Sequence, residues 1–280
     1  MRKSPRSGKS PGYGVRYASG LTAAAALVAL AGCGSSGGGG GDPTDRPTDQ
    51  PTGGPATTAT SAAPVHDKGP ACQGTSPADG VHVLRGGGFR LPGGGGVQYV
   101  AATADGRTRT ATLRDGASYQ DAQSSQTVTA GRQITVSGHA YTVAQICAYR
   151  VVLEPKSAAD RTALAAAPAT MKPAGGAADN GLCFTTNTTV TAAAANGFPP
   201  KGSTWTLSNN SGRQTLPTGL SVALYSVDPG AGTAVIGANC AAIQVASYKD
   251  AAAGDTVEFA GVTFKVTSVA QRAVILSRTG

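Results

Sequence analysis

The feature that most constrains the fold of this chain is an internal repeat. The stretch from Ala130 to Lys156 aligns without gaps on the stretch from Ala253 to Thr279, and six positions are identical. Where identity is lost, the apolar pattern is kept, as at Tyr141, which aligns with Phe264. The repeat predicts that one folded unit occurs twice.

The residues of each copy alternate in the way that is typical of β-strands. Short runs such as QITV, AYTVAQI and RVVL are separated by glycine turns at close spacing. We expect the last three strands of each copy to form a meander, with turns at Ser137 to His139 and at Ala260 to Val262. The predicted fold class is all-β, with two duplicated small β-sandwich or β-barrel-like domains of about five to eight strands each.

A single helix is predicted in the folded part, and it lies between the two copies. It runs from Ala158 to Ala167, with Ser157 as its N-cap and Asp160 in its first turn. The folded part therefore divides into β-domain 1 at 71–156, an Ala-rich connector at 157–180 and β-domain 2 at 181–280.

The amino terminus has the order of a secretory signal peptide at 1–32. Five basic residues and no acidic one precede an apolar run from Leu21 to Leu30. At ~1.5 Å per residue this run is ~15 Å long, about half of the ~30 Å hydrocarbon core of a membrane. It is therefore predicted to direct export and not to span a membrane.

The residues Leu30, Ala31, Gly32 and Cys33 resemble the lipobox of bacterial lipoproteins. The resemblance implies that the Cys33 thiol receives a diacylglycerol and that Cys33 becomes the first residue of the mature chain. At least two acyl chains would then hold the protein on the extracytoplasmic face of the cell membrane. The alternative is an ordinary signal peptide with an incidental cysteine.

The chain as a whole resembles actinobacterial, streptomycete-like lipoproteins. Ala, Gly and Thr are abundant, arginine outnumbers lysine, and the stretch AGDTVEFAGVTFKVTSV is similar to the end of small streptomycete domains. This resemblance carries no functional residue over to the present sequence.

Residues 33–70 form the lipidated cysteine and a linker that is rich in Gly, Pro and Thr. Large apolar residues are almost absent, so the linker is predicted to be disordered and to act as a tether. Removal of 1–32 lowers the formal net charge from +8 to +3, because the five basic residues there leave and no acidic residue does. This small charge, without a Lys/Arg cluster, argues against a nucleic-acid partner.

The four cysteines of the folded part are predicted to form two disulfides, because an exported chain meets an oxidising environment. Three pairings are possible. We favour Cys72 with Cys147 and Cys183 with Cys240, since each bond then closes within one predicted domain.

A zinc site is the competing interpretation of the cysteines. No two of them have the close spacing of zinc ligands, and His66, His82 and His139 lie far apart in the sequence. We therefore expect no metal and no cofactor.

No catalytic set stands out from the sequence. GSSGG matches the GxSxG motif of serine hydrolases, but its Ser36 lies in the low-complexity linker. The only glutamates are Glu154 and Glu258, and Glu258 aligns with Thr135, so the repeat builds no carboxylate pair. His139 is interpreted as a solvated turn residue.

Aromatic and basic side chains of the folded part are assigned mainly structural roles. Tyr141 and Phe264 are predicted to be core residues, and Trp205 a core anchor, with a glycan platform as its alternative. Arg150 and Arg272 flank the last strands at non-equivalent positions and are interpreted as solvated surface charges.

Two function hypotheses follow. The first is a non-enzymatic binding or adaptor module of the cell envelope, whose partner is an envelope protein or glycan. The second is an enzyme that acts on an envelope polymer at a site between the two β-domains, which would need paired carboxylates or a histidine near a nucleophile.

Overall fold

The strands follow the alternation of apolar and polar residues along the sequence. A computed structural model describes residues 71–119, 124–166, 182–216 and 218–280. Within it, the side chains of Gln133–Val136 are alternately exposed and buried, as a strand with one face on the core requires. The all-β class is confirmed. The predicted signal peptide, Cys33, the linker and most of the connector lie outside the described residues.

Nine strands and one helix belong to the first half of the folded part, residues 71–166. They are β1 (Cys72–Gly74), β2 (Val81–Leu84), β3 (Gly88–Arg90), β4 (Gly96–Ala104), β5 (Arg109–Asp115), β6 (Ser125–Thr129), β7 (Gln133–Val136), β8 (His139–Cys147), β9 (Arg150–Pro155) and α1 (Ala158–Ala165).

One helix and eight strands belong to the second half, residues 182–280. They are α2 (Thr188–Ala195), β10 (Thr204–Ser208), β11 (Gln214–Thr215), β12 (Ser221–Asp228), β13 (Thr233–Cys240), β14 (Ile243–Ala252), β15 (Thr256–Phe259), β16 (Val262–Ala270) and β17 (Ala273–Arg278).

The two halves share one strand order. In the first half β2, β9, β8 and β7 pair in one sheet, to which β1 adds at β8, and β3, β4, β5 and β6 pair in the other. In the second half β10, β17, β16 and β15 form one sheet, and β11, β12, β13 and β14 form the other. Each half is thus a β-sandwich-like pair of antiparallel sheets. That the halves arose by duplication stays a prediction.

The predicted hairpin turns are confirmed in both halves. Ser137 and Gly138 join β7 to β8, and Ala260 and Gly261 join β15 to β16. All four residues have positive φ, between 49° and 81°. Two consecutive residues of positive φ are the mark of a type I′ turn, whose twist matches that of the flanking strands.

Aromatic packing fills the core of the second half. Trp205 is 8 % exposed and contacts Phe198, Phe259 and Phe264 at ring-centroid distances of 5.4 to 6.2 Å. Its role as a core anchor is confirmed, as are the core positions of Tyr141 and Phe264, both fully buried. Full burial of such side chains stabilises the fold by roughly 1.5–3 kcal/mol each.

The predicted helix is present, and a second helix was missed. α1 begins after Ser157, whose hydroxyl accepts hydrogen bonds from the backbone of Ala159 and Asp160. α2 begins after Asn187, whose side chain accepts a hydrogen bond from the Val190 N–H at 3.1 Å. The prediction of a single helix was wrong, because Asn187 is an N-cap and the Ala-rich run after it has high helix propensity.

The two halves belong to one compact unit and meet along β14. The Ser247 N–H donates a hydrogen bond to the Arg85 carbonyl at 2.8 Å. A Cβ at Gly86 or Gly87 would overlap backbone atoms of Ser247 or Val245, so this approach requires glycine at both positions. A domain boundary within 157–180 stays a prediction.

Two disulfides join Cys72 to Cys147 and Cys183 to Cys240. These are the pairs that the sequence analysis favoured, and the prediction of disulfide bonds is confirmed. The second bond ties the segment that precedes α2 to the end of β13. No helix among the described residues is long and apolar enough to cross a membrane.

We predict that replacing both Cys183 and Cys240 by serine lowers the free energy of unfolding by about 4 kcal/mol, because the unfolded chain regains the loop entropy that the bond removes. Urea unfolding of the variant and the parent chain, both with Cys72–Cys147 intact, measures the difference. Equal unfolding midpoints and slopes would contradict the prediction.

Candidate functional site

The candidate site is built around one buried carboxylate, that of Glu258. Glu258 lies on β15 and is 0 % exposed, although its neighbours Val257 and Phe259 occupy the opposite, core-facing side of the strand. The aligned residue of the first half, Thr135 on β7, is exposed. The side of β7 that carries Thr135 therefore faces solvent. The equivalent side of β15, which carries Glu258, faces the first half of the protein.

Two side chains of the first half donate hydrogen bonds to this carboxylate. Nδ1 of His82, on β2, lies 2.6 Å from Oε1 of Glu258, and Nη1 of Arg150, on β9, lies 2.7 Å from Oε2. We refer to Glu258, His82 and Arg150 as the Glu258 cluster. Charge-assisted hydrogen bonds of this length are about twice as strong as neutral ones.

The pKa of Glu258 follows from two opposed effects. Burial by itself raises the pKa of the carboxyl group, because it penalises the charged form. The hydrogen bonds from His82 and Arg150, together with the positive charge of Arg150, outweigh burial and hold the pKa of Glu258 below its ordinary value. Glu258 is therefore an anion at neutral pH despite its complete burial.

Further hydrogen bonds fix the members of the Glu258 cluster. Oε1 of Gln145 accepts from Nη2 and Nε of Arg150, at 2.8 and 3.2 Å. The hydroxyl of Tyr248 donates to the Glu258 carbonyl at 3.0 Å and accepts from the Glu258 N–H at 3.1 Å. The cluster is thus held from both halves.

The interpretation of Arg150 as a solvated surface charge was wrong. Only 12 % of its side chain is exposed, because the second half covers it and supplies Glu258 as its partner. Arg272, in the turn between β16 and β17, is exposed as predicted.

The outer edge of His82 contacts a serine. Nε2 of His82 lies 3.3 Å from Oγ of Ser76, an exposed residue in the loop between β1 and β2. Nδ1 also lies 3.3 Å from Nη1 of Arg150, but its contact with the Glu258 carboxylate is the shorter at 2.6 Å. We therefore assign the proton of the neutral imidazole to Nδ1, which leaves Nε2 as an acceptor for the Ser76 hydroxyl. Ser76, His82 and Glu258 thus form a continuous line of hydrogen bonds.

A pocket of about 410 Å³ opens beside His82 and Glu258. Its walls come from β2 and β3 of the first half, from α2, and from β14 and the β15–β16 turn of the second half. We refer to it as the inter-half pocket. Apart from the edge of the Glu258 cluster, side chains such as Leu84, Phe89, Leu220 and Val245 make much of its surface apolar.

The hydroxyl of Thr218 lies in the wall of the inter-half pocket. Thr218 is 2 % exposed, and its Oγ1 makes no hydrogen bond within the described part of the chain. A buried hydroxyl without a partner costs about 1–3 kcal/mol. A polar group of a bound molecule would satisfy it.

The structure does not bring the other sequence candidates to this site. His139 starts β8 and bonds through Nδ1 to Oδ1 of Asp160 at 2.8 Å, so its interpretation as a solvated turn residue was wrong. Glu154 pairs with Thr142 across β8 and β9. Ser36 and His66 lie outside the described residues.

Sequence reasoning missed Ser76 and the pairing of His82 with Glu258. Ser76 and His82 are six residues apart, on either side of a turn. A serine and a histidine at this spacing are a local signal of a candidate nucleophile and base. Glu258 follows His82 by 176 residues, and no local pattern joins them.

Within the described ranges, no group of three or more His, Cys, Asp or Glu side chains is arranged to hold a metal ion. Comparison of the chain with protein-family models, with curated proteins and with solved structures gave no match.

We predict that Arg150→Met lowers the free energy of unfolding by about 3–5 kcal/mol, because it leaves the Glu258 carboxylate buried with one partner fewer. It also raises the pKa of Glu258. In the parent chain the native pKa of Glu258 is lowered. The stability that its carboxylate contributes is therefore present above the ordinary carboxyl pKa and is lost as the pH falls through the native pKa. In the variant the native pKa lies closer to the ordinary carboxyl value, so less stability is lost on acidification and the loss ends at a higher pH.

Urea unfolding across a pH series measures both effects. Arg272→Met removes a basic side chain from an exposed turn and is the matched control, with an expected change within about 0.5 kcal/mol. Equal losses in the two variants, or superimposable pH profiles, would contradict the assignment of Arg150.

Proposed function

We propose that this chain is a lipid-anchored binding module of the cell envelope, which holds the apolar part of a ligand in the inter-half pocket. The ligand would belong to an envelope protein or glycan, or to a molecule attached to one. The observation that carries the proposal is the Thr218 hydroxyl, which is buried in the pocket wall and has no hydrogen-bond partner among the residues that the structure describes.

The dimensions and chemistry of the inter-half pocket support this function. Ligand pockets are typically clefts of about 300–1,000 Å³ that are lined mostly by apolar side chains, with a few polar groups that orient the ligand. Here the volume is about 410 Å³, and the polar residues of the lining include Thr218, His82 and Glu258. Such a pocket suits an amphipathic molecule with one polar end.

The proposed location follows from the amino terminus and the cysteines. An export signal followed by a lipobox would place Cys33 on the outer face of the membrane, with the linker as a tether. Two disulfides agree with an oxidising environment outside the cytoplasm.

We predict that the purified full chain binds n-octanol, whose single hydroxyl ends an apolar chain. Isothermal titration calorimetry should show a negative heat-capacity change, the mark of apolar burial. Thr218→Val should weaken binding up to about tenfold, the value of one hydrogen bond, without destabilising the free protein.

Filling the pocket supplies a second test of n-octanol binding. Ala194 lines the pocket on α2, whereas Ala193 on the same helix does not. Ala194→Leu should abolish binding and Ala193→Leu should leave it unchanged. Equal binding by both variants and by Thr218→Val would show that the alcohol binds elsewhere.

We predict that Cys33→Ala leaves the protein released from the membrane or uncleaved, because no thiol remains to accept the lipid. Membrane fractionation with mass spectrometry of the amino-terminal peptide measures this outcome. Unchanged membrane retention of a correctly cleaved variant would contradict the lipid anchor.

A further inference from the structure

Ser76 contacts His82, which in turn contacts Glu258, and ligand binding in the pocket does not require these contacts. We propose that Ser76, His82 and Glu258 form a catalytic relay that hydrolyses a carboxylic ester whose acyl chain occupies the inter-half pocket. The inference goes beyond the proposed function but rests on it in one respect, since the pocket must accept an apolar chain.

The relay has the atomic order that nucleophilic catalysis by serine requires. The Ser76 hydroxyl lies 3.3 Å from Nε2 of His82, and Nδ1 of the same ring lies 2.6 Å from Oε1 of Glu258. A nucleophile within hydrogen-bond reach of a base, and a base oriented by a third group, are the marks of an activated serine.

Burial assigns the roles of the three groups. Ser76 is exposed, so an ester reaches its hydroxyl from solvent, whereas Glu258 is fully buried and both of its carboxylate oxygens are already bonded to His82 and Arg150. Glu258 orients the imidazole and stabilises the imidazolium that forms when Nε2 takes a proton. Arg150 keeps Glu258 ionised and in place through its contact with Oε2 at 2.7 Å. Glu258 and Arg150 are therefore positioning residues.

The loop that carries Ser76 connects the relay to the pocket. Ala78 and Gly80 follow Ser76 in this loop and line the inter-half pocket, as does His82. An ester carbonyl at the Ser76 hydroxyl can therefore extend its acyl chain past these residues to the apolar walls. This continuity selects an apolar acyl group and leaves the alcohol part of the ester towards solvent.

The reaction balances without a metal or a redox partner. Oγ of Ser76 attacks the ester carbonyl carbon while its proton moves to Nε2 of His82. The carbon–oxygen bond to the alcohol then breaks, the alcohol leaves with the proton from Nε2, and the acyl group stays on Ser76. Water attacks this acyl-serine, gives its proton to Nε2, and a carboxylic acid leaves as the proton returns to Oγ.

The test uses the purified full chain with two probes, p-nitrophenyl octanoate and an octyl fluorophosphonate. We expect p-nitrophenol release that both Ser76→Ala and His82→Gln lower by about a hundredfold or more. We also expect the phosphonate on the tryptic peptide that contains Ser76. Ser211→Ala, which alters another exposed serine, is the matched control and should change neither result.

Arg150→Met separates positioning from simple structural support. If Arg150 acts through Glu258 and His82, the variant shifts the pH profile of ester hydrolysis, whereas a purely structural role lowers the amount of folded protein and leaves the profile of the folded fraction unchanged.

The remaining outcomes distinguish the relay from the pocket. Turnover that survives Ser76→Ala, or a phosphonate on another residue, overturns the relay. Binding of n-octanol without any Ser76-dependent turnover also overturns it and leaves the proposed binding function intact. Ser76-dependent hydrolysis of p-nitrophenyl octanoate without n-octanol binding supports the relay and overturns the pocket as the site of the apolar chain.

Discussion

A buried negative charge joins the two halves of this protein. Glu258 belongs to the second half, and both groups that bond to its carboxylate, His82 and the cationic Arg150, belong to the first. A carboxylate without water around it is tolerated only while such partners remain in place, because the desolvation cost of an isolated charge is several kcal/mol. The relative position of the halves is therefore tied to the ionisation of one side chain, and the same geometry sets the orientation of the His82 ring that faces Ser76.

The site exists because two copies of one strand order have different surroundings. β7 and β15 are equivalent strands with equivalent turns, yet Thr135 faces solvent and Glu258 faces the other half. The contact also depends on Gly86 and Gly87, which admit the backbone of β14 at a distance that no side chain would allow. The pocket and the Ser76 contact lie at this joint, so neither half contains the site alone.

The sequence predicted what depends on local pattern and on pairing within each half. Alternation predicted the all-β class and the hairpins at Ser137–Gly138 and Ala260–Gly261, and the cysteine count predicted two disulfides. The sequence did not predict the burial of Arg150 and Glu258. Whether such a charged side chain is buried depends on which sheet faces of the two halves contact each other. α2 was missed for a different reason: its capping signal at Asn187 is local but was not interpreted as one.

The ionisation of Glu258 tests this account most directly. Carbon-13 NMR of the Glu258 side-chain carboxyl, followed through an acid titration of the folded protein, reports its protonation without reference to stability or activity. The account predicts a midpoint below the ordinary carboxyl pKa, because His82 and Arg150 outweigh burial. A midpoint above the ordinary value would mean that the carboxyl group is buried without effective partners, and it would contradict both the junction of the halves and the orientation of His82.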